Sequence, residues 1–258
     1  MFGFPRSLGK QDFRARPRLY NNTMPLKDCL LLLDAGRETY AHNETNIATL
    51  HDFSGNENHA TVTGSTLTYT NDAVPAFHFD GSQYAGTPAI GVGEGTIFFV
   101  SKIPSSAYVS GYCVSMQSAQ LGSFGGYTGR GFFITPRDDS SGEFGVNYAS
   151  TSYYQYGTRS ATLTTNRVTL TVLRWKDVYT QTWYRHCGIY CISSFSRTDT
   201  LPLSVSANPF WISAIHDWTY HVAQQFTLLG VYGRALEEAE IIDIENALIR
   251  RFGITRAL

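Results

Sequence analysis

The sequence predicts an all-β chain, an antiparallel jelly-roll β-sandwich with one C-terminal α-helix and an extended N-terminal arm. Three observations carry this. About ten short runs rich in Val, Ile, Phe, Tyr and Thr are separated by Gly, Asn, Ser and Asp turns. A single segment near the end repeats its apolar residues at helical spacing. The first 25 residues show no periodicity and are rich in Arg, Pro, Gly and Asn.

The arm comes first. Arg6, Lys10, Arg14, Arg16 and Arg18 lie in it, and with Lys27 they face a single acid, Asp12. The whole chain has a formal net charge of −1, so a basic arm precedes an acidic body. Interleaved Phe and Pro suit a strap on an acidic protein surface, and the five cations are its candidate anchors. A nucleic-acid partner is less favoured, because no recognisable binding fold accompanies the charge.

The body, residues 26–258, suits one domain. At 43% hydrophobic and 14% aromatic residues it can fill a sizeable core. Charged residues are only 16% of the chain, against about 25% in ordinary soluble domains. Ser, Thr, Tyr, Asn and Gly supply the polar surface instead, which suits neutral polar ligands or neighbouring protein.

The strands follow in order. "CLLLLD" (29–34) is a short apolar run, as in a buried strand. "HATVTG" and "STLTYT" alternate. "AFHFDGSQY" (76–84) sends Phe77 and Phe79 to one face and His78 and Asp80 to the other, then turns at Gly81. "GTIFFVSK" (95–102) is apolar on both faces and reads as central. "GFFITP", "GEFGVNY", "RVTLTVLRW", "QTWYRHCGIYCI" and "FTLLGVYGR" complete the set.

The helix is expected over Leu236–Phe252. Ile241, Ile244, Leu248 and Phe252 form its apolar line, with Ile242 and Ile249 beside it. Acids crowd its first half, Arg250 and Arg251 close it, and Gly253 sits at the C′ position. Glu245 interrupts the apolar stripe. A buried carboxylate needs a partner, and Arg234 is the expected one, in a structural ion pair.

The cysteines are Cys29, Cys113, Cys187 and Cys191. Read as one strand, "CGIYC" puts the last two on one face, too far apart for an unstrained disulfide. No zinc-site spacing appears. All four are expected to be reduced and mostly buried.

These runs, in this order, resemble a known family. "LLLLDAGRETY", "HDFSGNENHATVTGS", "AFHFDGSQY" and "LLGVYGRALEEAEIIDIENALIRRFGI" are similar to motifs of the concanavalin A-like lectin/glucanase superfamily, in its LamG-like jelly-roll branch. The likeness spans roughly Leu26 to Ile254 and is weakest between 104 and 210. It implies that the first and last strands pair and that the helix packs over the end of the sandwich. Many such domains occur in phage virion proteins and bacterial surface proteins.

No motif marks a reactive centre. Glucanases of that superfamily carry paired acids on one strand, and no such run stands here. Asp138, Asp139 and Glu143 in "PRDDSSGE" sit in turn-like sequence. His216 and His221 bracket "DWTY" without a marked nucleophile. A non-enzymatic chain is therefore expected, with no cofactor. Asp52, Asn56 and Asn58 in "DFSGNEN" are weak candidates for Ca²⁺, but Asp and Asn also cap turns unaided.

The candidate ligand surface is aromatic. "NYASTSYYQYGTR" groups Tyr148, Tyr153, Tyr154 and Tyr156, "GGYTGRGFF" adds Tyr127 and Arg130, and "NPFWISAIHDWTYH" adds Trp211 and Trp218. Such side chains suit either a glycan or a protein partner. No secretory leader or membrane-spanning run is apparent. With the arm and the resemblance, this leads to the expectation of a phage virion surface protein, in head decoration or a tail or collar fibre. It would be made in the host cytoplasm, present in multiple copies and held to other virion proteins through the arm. Host surface polysaccharide is its expected ligand. The alternative is a stand-alone carbohydrate-binding lectin or adhesin, and less favoured is a glycoside hydrolase.

Overall fold

The computed structural model describes residues 24–104, 114–117, 131–136, 143–149, 154–156, 160–162, 166–175, 180–187, 191–198, 209–214 and 221–254. The strands are β1 Cys29–Asp34, β2 Thr49–Leu50, β3 Ala60–Thr63, β4 Thr68–Thr70, β5 Ala76–Asp80, β6 Tyr84–Gly86, β7 Gly95–Lys102, β8 Val114–Gln117 and β9 Gly131–Pro136. They continue with β10 Glu143–Ala149, β11 Tyr154–Tyr156, β12 Ser160–Thr162, β13 Val168–Trp175, β14 Thr180–Cys187, β15 Cys191–Thr198, β16 Phe210–Ile212 and β17 Ala223–Tyr232, before helix α1, Glu238–Phe252.

Two antiparallel sheets face each other. The six-stranded sheet runs β13-β7-β17-β5-β4, with β1 paired to the second half of β17. The nine-stranded sheet runs β11-β10-β9-β8-β16-β6-β3-β2, with β12 on β10. Strands β14 and β15 form a separate hairpin. The first and last strands of the chain are thus neighbours, Leu33 opposite Leu229.

There are two cores, and alternation sorts residues between them. On β7, Ile97 and Phe99 enter the core between the sheets, while Phe98 and Val100 enter a second core outside it. Strand β17 does the same with Leu229 and Val231 against Leu228 and Tyr232. This is why β7 reads as apolar at every position. The helix lies across that outer face of the six-stranded sheet, where Ile241, Ile244, Leu248 and Phe252 complete the second core. It packs on this face rather than sealing the end of the sandwich, because an apolar sheet face needs a layer over it.

Helix α1 begins with a capping arrangement in which Glu240 accepts the Glu237 N–H at 2.9 Å. It ends at Gly253, whose φ of 63° lies in the left-handed region. Its last turn is tied to β1: Arg251 donates twice to Asp34, at 2.8 and 2.6 Å. Asp34 also accepts the Gly36 N–H at 3.0 Å, closing the 3-10 turn at Ala35–Arg37.

Two pairings differ from the sequence reading. Arg234 does not serve Glu245: it donates to Glu240 at 2.8 and 2.6 Å and to Asp28 at 2.9 Å. Glu245 is buried on the helix face turned to the sheet, a full turn beyond Arg234's reach. Cys187 and Cys191 do not share one strand either. They end β14 and begin β15 and stand directly opposite each other across that hairpin.

The "DFSGNEN" turn is a bracket on β1. Asp52 accepts the backbone N–H groups of Leu32, Ser54 and Asn58, each at 2.9 Å. Asn56 and Asn58 donate their amide nitrogens to the carbonyls of Cys29 and Leu30, at 2.8 and 2.9 Å. Their side chains do the turn-capping work that Asp and Asn perform without an ion. Among the described residues no helix is long and apolar enough to cross a membrane.

Candidate functional site

The inner face of the nine-stranded sheet is buried: Leu50, Ala60, Ala85, Ile212, Val114 and Met116 all enter the core. Residues one step away occupy the opposite face. Register aligns one row of them across the sheet: Thr49, Thr61, Gly86, Trp211, Ser115, Phe133, Asn147 and Tyr156. Trp211 stands mid-row.

Trp211 is half-buried, with its ring seated on Gly86. A Cβ at Gly86 would come within 2.2 Å of the indole Cζ3, so only glycine admits the ring there. Tyr84 meets the indole edge-on at 6.0 Å between centroids, and His221 lies against Tyr84 at 5.2 Å. Burial holds the His221 imidazole below its ordinary value, so it favours the neutral form. The Trp211 indole N–H and His221 Nε2 are buried and find no hydrogen-bond partner among the described residues.

Just beyond the β2–β3 pair stand two more histidines. Leu50 pairs with Ala60, so His51 and His59 oppose each other one step on, in line with Thr49 and Thr61. Their rings are 5.6 Å apart and nearly perpendicular. Glu38, 3% exposed, accepts both the His51 N–H at 2.8 Å and its Nδ1 at 2.7 Å. Burial pushes the Glu38 carboxyl above its ordinary value, against the pull of these hydrogen bonds. Tyr40 stacks on His51 at 5.8 Å, its hydroxyl donating to the Thr49 carbonyl at 2.7 Å. His59 Nδ1 accepts the Asp52 N–H at 2.9 Å.

The predicted aromatic residues are dispersed. Tyr156 falls on the Trp211 row and Tyr154 two positions along the same strand. Tyr148 is in register with Phe132, Met116 and Phe210, the row whose β8 and β16 members are core. Tyr127, Arg130, Tyr153 and Trp218 lie outside the described residues, as do Arg6, Lys10, Arg14, Arg16 and Arg18. Sequence reasoning missed Glu38, Tyr40, His51, His59 and Tyr84. The signal for the histidine pair is the turn between them: a hairpin closing on Leu50 and Ala60 must bring residues 51 and 59 together.

No family model matches the chain, and no curated protein does. Solved structures match its fold. Domain 4 of AbnA, a GH43 extracellular arabinanase from Geobacillus stearothermophilus, in complex with arabinotriose, is 14% identical, covers 84% of this chain and 97% of that one, and has a TM-score of 0.63. A GH54 α-L-arabinofuranosidase is 9% identical, with 86% and 63% covered and a TM-score of 0.62. A mutant Trypanosoma rangeli sialidase displaying trans-sialidase activity is 12% identical, with 87% and 34% covered and a TM-score of 0.56. At these identities the likeness establishes the fold, an all-β sandwich shared with carbohydrate-active proteins. It also overturns the expectation of a chain without enzymatic activity. That expectation rested on a missing acid pair on one strand, and chains of glycoside hydrolases and sialidases contain this sandwich.

Proposed function

We propose that this chain recognises carbohydrate through the outer face of its nine-stranded sheet, with Trp211 as the stacking platform. The observation that carries the reading is the indole seated on Gly86 in mid-sheet, flanked by Tyr84 and in register with Tyr156. A flat apolar ring takes the C–H face of a sugar, and Thr49 and Thr61 of the row offer hydroxyl groups for its OH groups. The arabinotriose bound by the AbnA domain makes arabinose oligomers the first ligands to try.

Isothermal titration with arabinotriose and a panel of galactose, mannose and sialic acid oligosaccharides tests this. Trp211→Ala is expected to weaken binding about tenfold, the loss of about 1.4 kcal/mol of stacking. Gly86→Ala, which drives the ring off its seat, is expected to act in the same direction. Equal affinity for wild type and Trp211→Ala would refute the reading. Reducing-sugar release in the same mixtures decides whether recognition is accompanied by cleavage.

The basic segment supports a second part of the reading, attachment of this module to a larger assembly, such as a phage virion, through Arg6, Lys10, Arg14, Arg16 and Arg18. Its support is the charge asymmetry of the chain. Deleting residues 1–25 should abolish incorporation into that assembly and leave glycan binding unchanged.

A further inference from the structure

We propose that His51 and His59 form a second contact point beside the β2–β3 edge, one that binds two adjacent hydroxyl groups of a neutral polyol such as a sugar ring. The assignment deepens the carbohydrate reading and rests on it.

The two imidazoles are fixed as opposite tautomers. The Asp52 backbone N–H can only donate, so His59 Nδ1 must accept it, and in the neutral ring the proton then sits on Nε2. Glu38 is an acceptor when ionised, so His51 Nδ1 is the donor and its Nε2 keeps a free lone pair. In the neutral rings one edge therefore offers a donor and its neighbour an acceptor, with centroids 5.6 Å apart. Tyr40 stacked on His51 and the Glu38 carboxylate behind it fix that ring's plane. His59 is exposed and His51 partly so.

This pattern selects among ligands. A metal ion needs a lone pair from each ring, and the His59 lone pair is already occupied. A carboxylate brings acceptors alone and meets a lone pair at Nε2 of the neutral His51 ring. A pair of neighbouring hydroxyls satisfies both, one donating to His51 and the other accepting from His59.

Nitrogen-detected NMR of the histidine rings tests the assignment, with His51→Ala and His59→Ala spectra assigning the signals. In the free protein the expected pattern is protonated Nδ1 on His51 and protonated Nε2 on His59. The probes are methyl glycosides of arabinofuranose, galactose and mannose, with the 2-deoxy analogues of the latter two. Diol-bearing probes should shift both Nε2 signals, and the deoxy analogue of a responding sugar should bind about tenfold more weakly, the equivalent of one hydrogen bond. Glu38→Gln places an amide beside two donors. It should change the His51 tautomer and weaken binding about tenfold, while a sugar-induced change in tryptophan fluorescence that is lost in Trp211→Ala persists. Different tautomers in the free protein would overturn the assignment. So would silent rings in the presence of every probe. Silent rings with a Trp211-dependent response sink this assignment and leave the platform standing. Shifted rings without that response support the histidine pair and sink the platform.

Discussion

At the scale of single residues, ionic contacts decide more than their exposure suggests. Arg234 grips Glu240 through two hydrogen bonds and holds its carboxyl down to about 2, from an ordinary value of 4.5. A carboxyl depressed by folding binds its proton less readily in the folded chain. Its contribution to stability is therefore full above pH 4.5 and fades as the pH falls toward 2. Glu240 also accepts the Glu237 N–H, so one side chain serves both the ion pair and the helix start. Because the pair is solvent-exposed, the effect is bounded at about 1 kcal/mol. Glu240→Gln should lower the melting temperature at pH 7 by about 2–4 °C, and the two proteins should converge near pH 2–3. A constant gap across that range would show that the carboxylate's charge is irrelevant. Arg234 was legible as a structural cation, but its partner was not. Glu245 sits eleven positions away in sequence and on another side of the helix, whereas Glu240 lies in the first turn beside it.

At the scale of elements, legibility followed length and period. Strands β1 and β7 could be read to their ends, because an apolar run bounded by polar turns has one interpretation. Helix α1 could be read because Ile241, Ile244, Leu248 and Phe252 recur at helical spacing over a span too long for a strand. Strands β2, β8, β11, β12 and β16 have two to four residues each, too few for alternation to register. The β14–β15 hairpin was hidden because "CGIYC" carries an apolar run through the change of direction. What the helix covers was also not legible, since an apolar stripe does not name its partner. The structure names it: Leu248 is fully buried among the outward-facing residues of β7, β13 and β17. Leu248→Asp places an unpaired carboxylate there and should destabilise the domain by roughly 3 kcal/mol or more. Denaturant unfolding monitored by circular dichroism would measure this. An unchanged midpoint would mean that the helix is not part of the cooperative unit.

At the scale of the molecule, the six-stranded sheet is the middle layer of three, and this explains both the chain's order and its candidate site. The helix comes last because β17, which precedes it, is the sheet's central strand and delivers the chain to the face still uncovered. The far face of the nine-stranded sheet carries Trp211, and His51 and His59 lie beside its β2–β3 edge. The site was only partly legible because its members come from separated segments of the chain, brought together by strand register and by the loops beside it. The three layers also predict how the molecule opens. Cys29 lies in the second core, 4% exposed, and burial pushes its thiol up to about 12 from an ordinary value of 9.0. So little of it is thiolate near neutral pH that alkylation in the native state is slow. Reaction requires the second core, which the helix completes, to open. The rate of Cys29 labelling by iodoacetamide, followed by mass spectrometry of its own peptide, should therefore rise with denaturant in step with global unfolding. Leu248→Asp should accelerate it at least tenfold, because the same layer holds both residues. Labelling of the native protein as fast as of the unfolded chain would mean that the helix does not close the sheet, and the three-layer account would fall.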